Sequence, residues 1–203
     1  MAEASVPNIF QFKISLKCIK PGIWRRIQVP SDYTFQQLHF AIQDAMGWQS
    51  RFYNYHLHNF ELRVPRSGKK IEIGIVNDSE YSAPECISEE TAYINEYFLI
   101  PKAKATYLYD FGDNWEHDVV LEKVLPAVSG DKYPKCIDGK RACPPEDCGG
   151  YDGYDEHIEI IGNRRHPDYK DHMEWLESKP VGTDPENFDP AAVVFCGGKS
   201  PQD

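Results

Sequence analysis

Phe10, Phe12, Ile14, Leu16 and Cys18 alternate with Gln11, Lys13, Ser15 and Lys17, the period of a strand with one face in a core and one in water. Pro21 and Gly22 interrupt the pattern, and residues 23–29 (IWRRIQV) read as a second strand returning on the first. After Thr34 the period lengthens. Phe35, Leu38, Ile42, Ala45 and Met46 fall at helical spacing, and Gly47 stands where a helix stops. Alternation resumes in residues 55–62 (YHLHNFEL) and 70–75 (KIEIGI), joined by a turn at 65–68. It appears again in 105–111 (ATYLYDF) and 115–124 (WEHDVVLEKV), around a turn at 112–114. Between these pairs an acidic loop at 78–90 precedes a short helix within 91–99.

From Pro126 the pattern fails. Residues 127–151 are rich in Pro, Gly, Cys and charge and have no apolar period, so they predict a long loop. Helical spacing returns in 154–163 (Ile158 with Ile161) and 168–178 (Met173 with Leu176), with a short helix at 188–195 and a loose tail at 197–203. The pattern predicts an α+β fold: one compact domain of mostly antiparallel strands, helices packed on them and a helical C-terminal part. That domain covers residues 1–203, with a folded core over about 8–195. A chain of 203 residues with 41% hydrophobic content can bury such a core alone.

Residues 1–8 are polar and no run of eighteen apolar residues occurs, which predicts a soluble cytoplasmic protein without membrane contact. Its six cysteines are then expected to stay reduced. A net charge of -10 speaks against a nonspecific grip on nucleic acid. The charge is uneven, however. Residues 1–76 carry ten Lys+Arg against five Asp+Glu, and residues 77–203 carry twelve against twenty-seven. A basic N-terminal hairpin with Lys13, Lys17, Arg25 and Arg26 beside Trp24 is therefore a candidate nucleic-acid face. The competing expectation is that these cations pair with the chain's own carboxylates while Trp24 joins Trp115 in the core.

Three sets of residues could carry chemistry. Cys136, Cys143 and Cys148, with Cys196, His117 or His157 as a fourth donor, could hold zinc. They lack the close cysteine pairs usual for that ion, so the loop is expected to be held instead by Pro144 and Pro145 and by Glu146 and Asp147 accepting backbone hydrogen bonds. In DFGDNWEHD, Asp110, Asp113 and His117 offer a divalent-ion or acid–base site, against a reading in which the aspartates stabilise a turn and His117 packs in the core. His56 and His58, with His39 as a companion, form a weaker candidate pair, since a strand would point both the same way. No cofactor is the expectation, with zinc or another divalent metal as its alternative. GGKS at 197–200 lacks the upstream glycine of a phosphate loop.

IKPGIWRRIQVP, YLYDFGDNWEHDVVLEKV and KCIDGKRACPPEDCGGYDGY, in that order, resemble the plasmid pRiA4b ORF-3-like family from about Phe10 to Ser178. The resemblance implies a compact α+β fold. Because some bacterial members are labelled insertion-element passenger proteins of TnpR type, it also implies a mobile-element association. It carries no established activity, substrate or catalytic residue. A serine recombinase would need a basic DNA-binding tail, whereas this C-terminal half is acidic. The expected function is a non-enzymatic binding or interaction domain whose partner is a protein. Its rivals are a metal-dependent hydrolase, with nucleic acid among its substrates, and a DNA-associated accessory protein. Convergence of the candidate donors on one cleft would discriminate among them.

Overall fold

The alternating segments assemble into one eight-stranded sheet in this computed structural model, which describes residues 8–48, 56–65, 67–76, 86–179 and 184–196. The strands are β1 (Ile9–Leu16), β2 (Trp24–Pro30), β3 (His58–Arg63), β4 (Lys70–Gly74), β5 (Ile87–Ser88), β6 (Lys104–Tyr109), β7 (Trp115–Leu125) and β8 (Lys135–Lys140). They lie in the order β5-β4-β3-β6-β7-β1-β2-β8, with only β4 and β5 parallel. Short hairpins bring β1 to β2, β3 to β4 and β6 to β7, as antiparallel pairing allows. The expected α+β class is observed.

Register sets the two faces. Phe12 stands opposite Ile27 on one side and Leu121 on the other, and Phe60 stands opposite Tyr107. Those side chains, with Ile14 and Leu16, are all buried. The helix α1 (Phe35–Met46) covers this face. Thr34 and Gln37 form a capping box at its start, and Gly47 ends it at φ 98°, a left-handed angle that glycine adopts without a Cβ clash. Phe35 meets Phe60 edge-on at 5.1 Å between ring centres, and Phe12 meets Phe98 at 4.8 Å, geometries that suit the aromatic quadrupole.

The opposite face is wet and laced with ion pairs. Arg26 Nε lies 2.7 Å from Glu122 and its Nη1 2.7 Å from Asp138, and Lys17 Nζ lies 3.0 Å from Glu116. Two candidates for the basic face therefore spend their charge within the chain. Strand alternation turns Arg25 inward, where it is 1% exposed. There Nε donates to Ala45 O, near the end of α1, and Nη1 donates to Trp24 O and Lys140 O. Arg25 cannot meet a phosphate from that position. Trp24 takes the wet face instead of the expected core, with Lys13 Nζ 4.9 Å from its ring centre. Trp115 is buried as expected.

The largest departure lies in residues 127–151, where a strand and the first helical turn replace the expected loop. β8 pairs with β2 at the sheet edge, and its apolar residue Ile137 is exposed, so no buried period marks it. Gly139 is required there because a Cβ would collide with the Phe188 ring. α2 (Gly150–Gly162) starts four residues before the helical spacing becomes visible, because its first turn contains glycines. α3 (Tyr169–Glu177) follows, and residues 188–195 hold only a 3-10 turn, Pro190–Ala192. The expected tail at 197–203, residues 78–85 of the acidic loop, residue 66 of the turn at 65–68 and residue 55 lie outside the described residues. Among the described residues no helix is long and apolar enough to cross a membrane.

Candidate metal centre

Three distant segments meet beside one end of the β3–β6 pair. His56 sits just before β3, Asp110 just after β6, and Glu146 and Asp147 follow the Pro144–Pro145 step. Among the described residues, His56, Asp110 and Asp147 are the group of histidine, cysteine and acidic donors whose ligand atoms all lie within 4.8 Å of one another.

Asp110 has two roles. Its backbone is left-handed (φ 55°), its N–H donates to Leu57 O, and its Oδ1 accepts from Gly112 N at 2.9 Å, which closes the turn the sequence predicts. Its Oδ2 is left pointing at His56 Nδ1, 3.4 Å away. Glu146 is buried and accepts from Tyr109 Oη at 3.0 and 3.2 Å. Trp48 stacks on Tyr109 at 4.7 Å and donates Nε1 to Pro144 O at 3.0 Å, which anchors the loop carrying both acids. Asp147 is left-handed at φ 58°. Its Oδ2 lies 3.1 Å from Lys179 Nζ and its Oδ1 3.4 Å from His56 Nε2.

The imidazole therefore has two distinct sides. Nδ1 faces Asp110, while Nε2 faces Asp147 Oδ1 at 3.4 Å and Glu146 Oε2 at 3.9 Å. Nε2 is shut off from solvent and makes no hydrogen bond among the described residues. A buried ring nitrogen in that condition calls for a partner. With Asp110 beside Nδ1, Nε2 is the ring nitrogen left facing Asp147 and Glu146. Zinc or manganese sits about 2.0–2.2 Å from nitrogen and oxygen donors, which places those donors roughly 3 Å apart; Asp147 at 3.4 Å from Nε2 is near that spacing, and Glu146 at 3.9 Å would have to move closer.

The other candidates lie elsewhere. His58 packs against Tyr107 and His56 against Tyr109, two residues along β6, but the two histidines turn their donors to different partners. His58 Nε2 lies 2.7 Å from Glu89, and its ring stacks on His39 at 3.5 Å, in the core. Burial and the neighbouring His58 hold His39 well below the usual imidazole range. His117 is buried against Tyr107 O, and burial pulls its pKa down to about 3. Asp113 is outside the His56 cluster, with Oδ2 buried and unbonded.

All six cysteines are free, and the sulfurs of Cys136, Cys143 and Cys148 do not gather as one donor set among the described residues. Burial raises each of these thiols, Cys148 to about 12 with help from Asp113. Cys196 donates its backbone N–H to Asp44, and His157 bonds to His172 at 2.8 Å, its pKa lowered to about 4 by burial and by that neighbour. Glu146, Asp147 and Lys179 are the site residues that sequence reasoning missed as such. The CPPED run is the signal that held two of them.

The model of the family described as plasmid pRiA4b ORF-3-like protein matches residues 8–192. An uncharacterized protein, y4hQ, of Sinorhizobium fredii is 31% identical over 183 residues, covering 90% of this chain and 88% of that protein. The crystal structure of a protein of unknown function, MM3350 from Methanosarcina mazei Go1, is 44% identical with a TM-score of 0.81, covering 94% of this chain and 100% of that one. On these matches, spanning the sheet, α1 and the loop that carries Glu146 and Asp147, the chain belongs to the plasmid pRiA4b ORF-3-like family.

Proposed function

We propose that this chain binds one divalent cation through His56 Nε2, Glu146 and Asp147, with Asp110 orienting the imidazole, and that it acts as a metal-dependent hydrolase. The observation that carries the reading is the buried, unbonded Nε2 of His56 between two carboxylates, backed by a third carboxylate at Nδ1. One imidazole and two carboxylates would leave coordination positions open to water on a bound cation, which would lower the pKa of that water and supply a nucleophile. Tyr109 fixes Glu146 and Lys179 fixes the outer oxygen of Asp147, which leaves Asp147 Oδ1 and Glu146 Oε2 facing Nε2 at 3.4 and 3.9 Å.

Calorimetric titration with zinc, manganese and magnesium tests the binding step, and metal-dependent turnover of a panel of phosphoester, carboxyester and amide substrates tests the chemistry. Saturable binding of one ion per chain, lost in His56→Ala, is expected. Absence of binding by the wild-type protein sinks the whole reading. Binding without turnover leaves an ion-holding domain and removes the hydrolase. A second reading, the non-enzymatic interaction domain, is favoured by a separate groove at the far end of the same strands.

A further inference from the structure

At the end of the β3–β6 pair away from His56, the chain forms a groove of about 850 Å³, a volume in the range of ligand and peptide sites. Leu62 and Phe98 are buried behind it, and Leu99 and Ile100 stand beside it at 49% and 68% exposure. Adjacent exposed aliphatic side chains beside a concavity are what an interaction site offers. The loop that carries them is pinned. Ala103 N donates to Ile100 O across Pro101 and Lys102, Lys102 N donates to Leu121 O, and Leu121 N donates back to Ala103 O. The apolar pair is thus presented from a fixed turn on β7.

Five cations and two acids line the groove. Lys70 is neutralised by Glu61 at 2.7 Å, and Lys17 by Glu116 and Asp118 at 3.0 and 3.8 Å. Arg63, Lys102 and Lys104 make no ion pair among the described residues; Arg63 donates only to Gly68 O. Three uncompensated positive charges around an exposed aliphatic wall contrast with a chain of net charge -10.

We propose that this groove docks an acidic segment of a partner protein that also carries aliphatic or aromatic side chains. Apolar side chains would cover Leu99 and Ile100, and carboxylates would meet Arg63, Lys102 and Lys104, complementarity that supplies specificity and speeds encounter. Nucleic acid would answer the charge but not the aliphatic wall, which has no exposed aromatic face beyond half-buried Tyr97 for bases to stack on. An anionic bilayer would be repelled by the rest of the chain. The proposal does not depend on the metal reading.

The test uses arrays of short random peptides in three compositions (acidic with apolar, basic with apolar, and acidic with polar residues), together with single-stranded DNA and phosphatidylserine vesicles. The full chain should bind members of the acidic–apolar set alone, more weakly at higher salt. Ile100→Asp and the double substitution Lys102→Glu with Lys104→Glu should each weaken that binding at least tenfold, with thermal melting and metal titration unchanged. No binding to the acidic–apolar set, binding that the variants leave intact, or stronger binding to DNA or vesicles would overturn the proposal. So would self-association of the wild-type chain that the same variants abolish, since that would assign the groove to a second copy.

Discussion

The two ends of the β3–β6 ladder are built by opposite routes. At one end, His56, Asp110 and Asp147 come from three remote segments and meet only because the sheet pairs β3 with β6 and the cysteine loop folds back over Tyr109. At the other, Leu99 to Lys104 form one continuous run, fixed by its own turn and by β7, and Arg63 of β3 joins it across the groove. The strands separating them are six residues long, about 20 Å at the rise of an extended chain. One end gathers negative charge around an imidazole and is suited to a cation. The other gathers positive charge around aliphatic side chains and is suited to an anionic chain. A site made by convergence depends on the whole fold, whereas a site made by a local run depends mostly on its own turn.

The largest expected effect lies at the convergent end. His56→Ala should abolish cation binding outright, and Asp110→Asn should weaken it about 10–100-fold, the usual loss when the group that orients a metal-bound histidine is removed. Calorimetric titration of both variants checks this, with Ile100→Asp as the control from the other end. Equal losses in all three would erase the distinction between the ends.

That distinction was only half visible in the sequence. The alternation of Phe12, Ile14 and Leu16 and the helical spacing of Phe35 to Met46 report burial directly, because each buried face repeats at the period of its own element. β8 escaped because an edge strand with an exposed Ile137 has no buried face to repeat. The site escaped in part for a related reason. His56 and Asp110 stood out as chemistry-bearing residues, but Glu146 and Asp147 looked like turn acceptors, and no local period relates residue 56 to residue 147. His58 and His117 shared their neighbourhoods in sequence and yet point into the core, where Glu89 and Tyr107 receive them.

Acid should separate the two ends further. His39 and His117 are fully buried and held below the ordinary imidazole value of 6.5, His117 to about 3, both chiefly by burial. In the unfolded chain both take up a proton near that ordinary value, while in the folded chain they stay neutral. The unfolded state then binds more protons, and stability falls as pH drops from about 6.5 toward 4. The slope is up to about 1.4 kcal/mol per pH unit for each such histidine. Denaturant melts at pH 7 and pH 5 measure the loss, and His117→Phe should flatten it. Hydrogen exchange at pH 5 should show α1 and β7 around His117 opening before the turn at 100–103. Uniform opening would mean that the core histidines do not govern acid lability.

Side-chain exchanges on the groove that leave its backbone unchanged, such as Ile100→Asp, should do the reverse, altering recognition while leaving stability within about 0.5 kcal/mol, since Ile100 is mostly exposed. Urea unfolding of Ile100→Asp beside Arg25→Ala gives the contrast. Arg25→Ala strips hydrogen bonds from three carbonyls and should cost about 2–4 kcal/mol.

The smallest effect tests a feature both ends share, a functional side chain on a left-handed backbone. Lys102 has φ 76° at the third position of the turn Ile100–Ala103, and Asp147 has φ 58°. A long side chain held there costs about 1–2 kcal/mol that glycine avoids, against about 0.5–1 kcal/mol of extra freedom glycine loses on folding. Lys102→Gly should therefore raise stability by about 0.5–1 kcal/mol while weakening capture of acidic peptides. Aspartate tolerates the left-handed region better, because its short side chain bonds locally, and Asp147→Gly also removes the contact with Lys179. Its effect on stability should be near zero or slightly negative, while cation binding is lost. If urea unfolding showed both glycine variants moving stability the same way, the backbone at 147 would be as strained as that at 102. The acidic end would then be held open by its loop in the same manner as the groove.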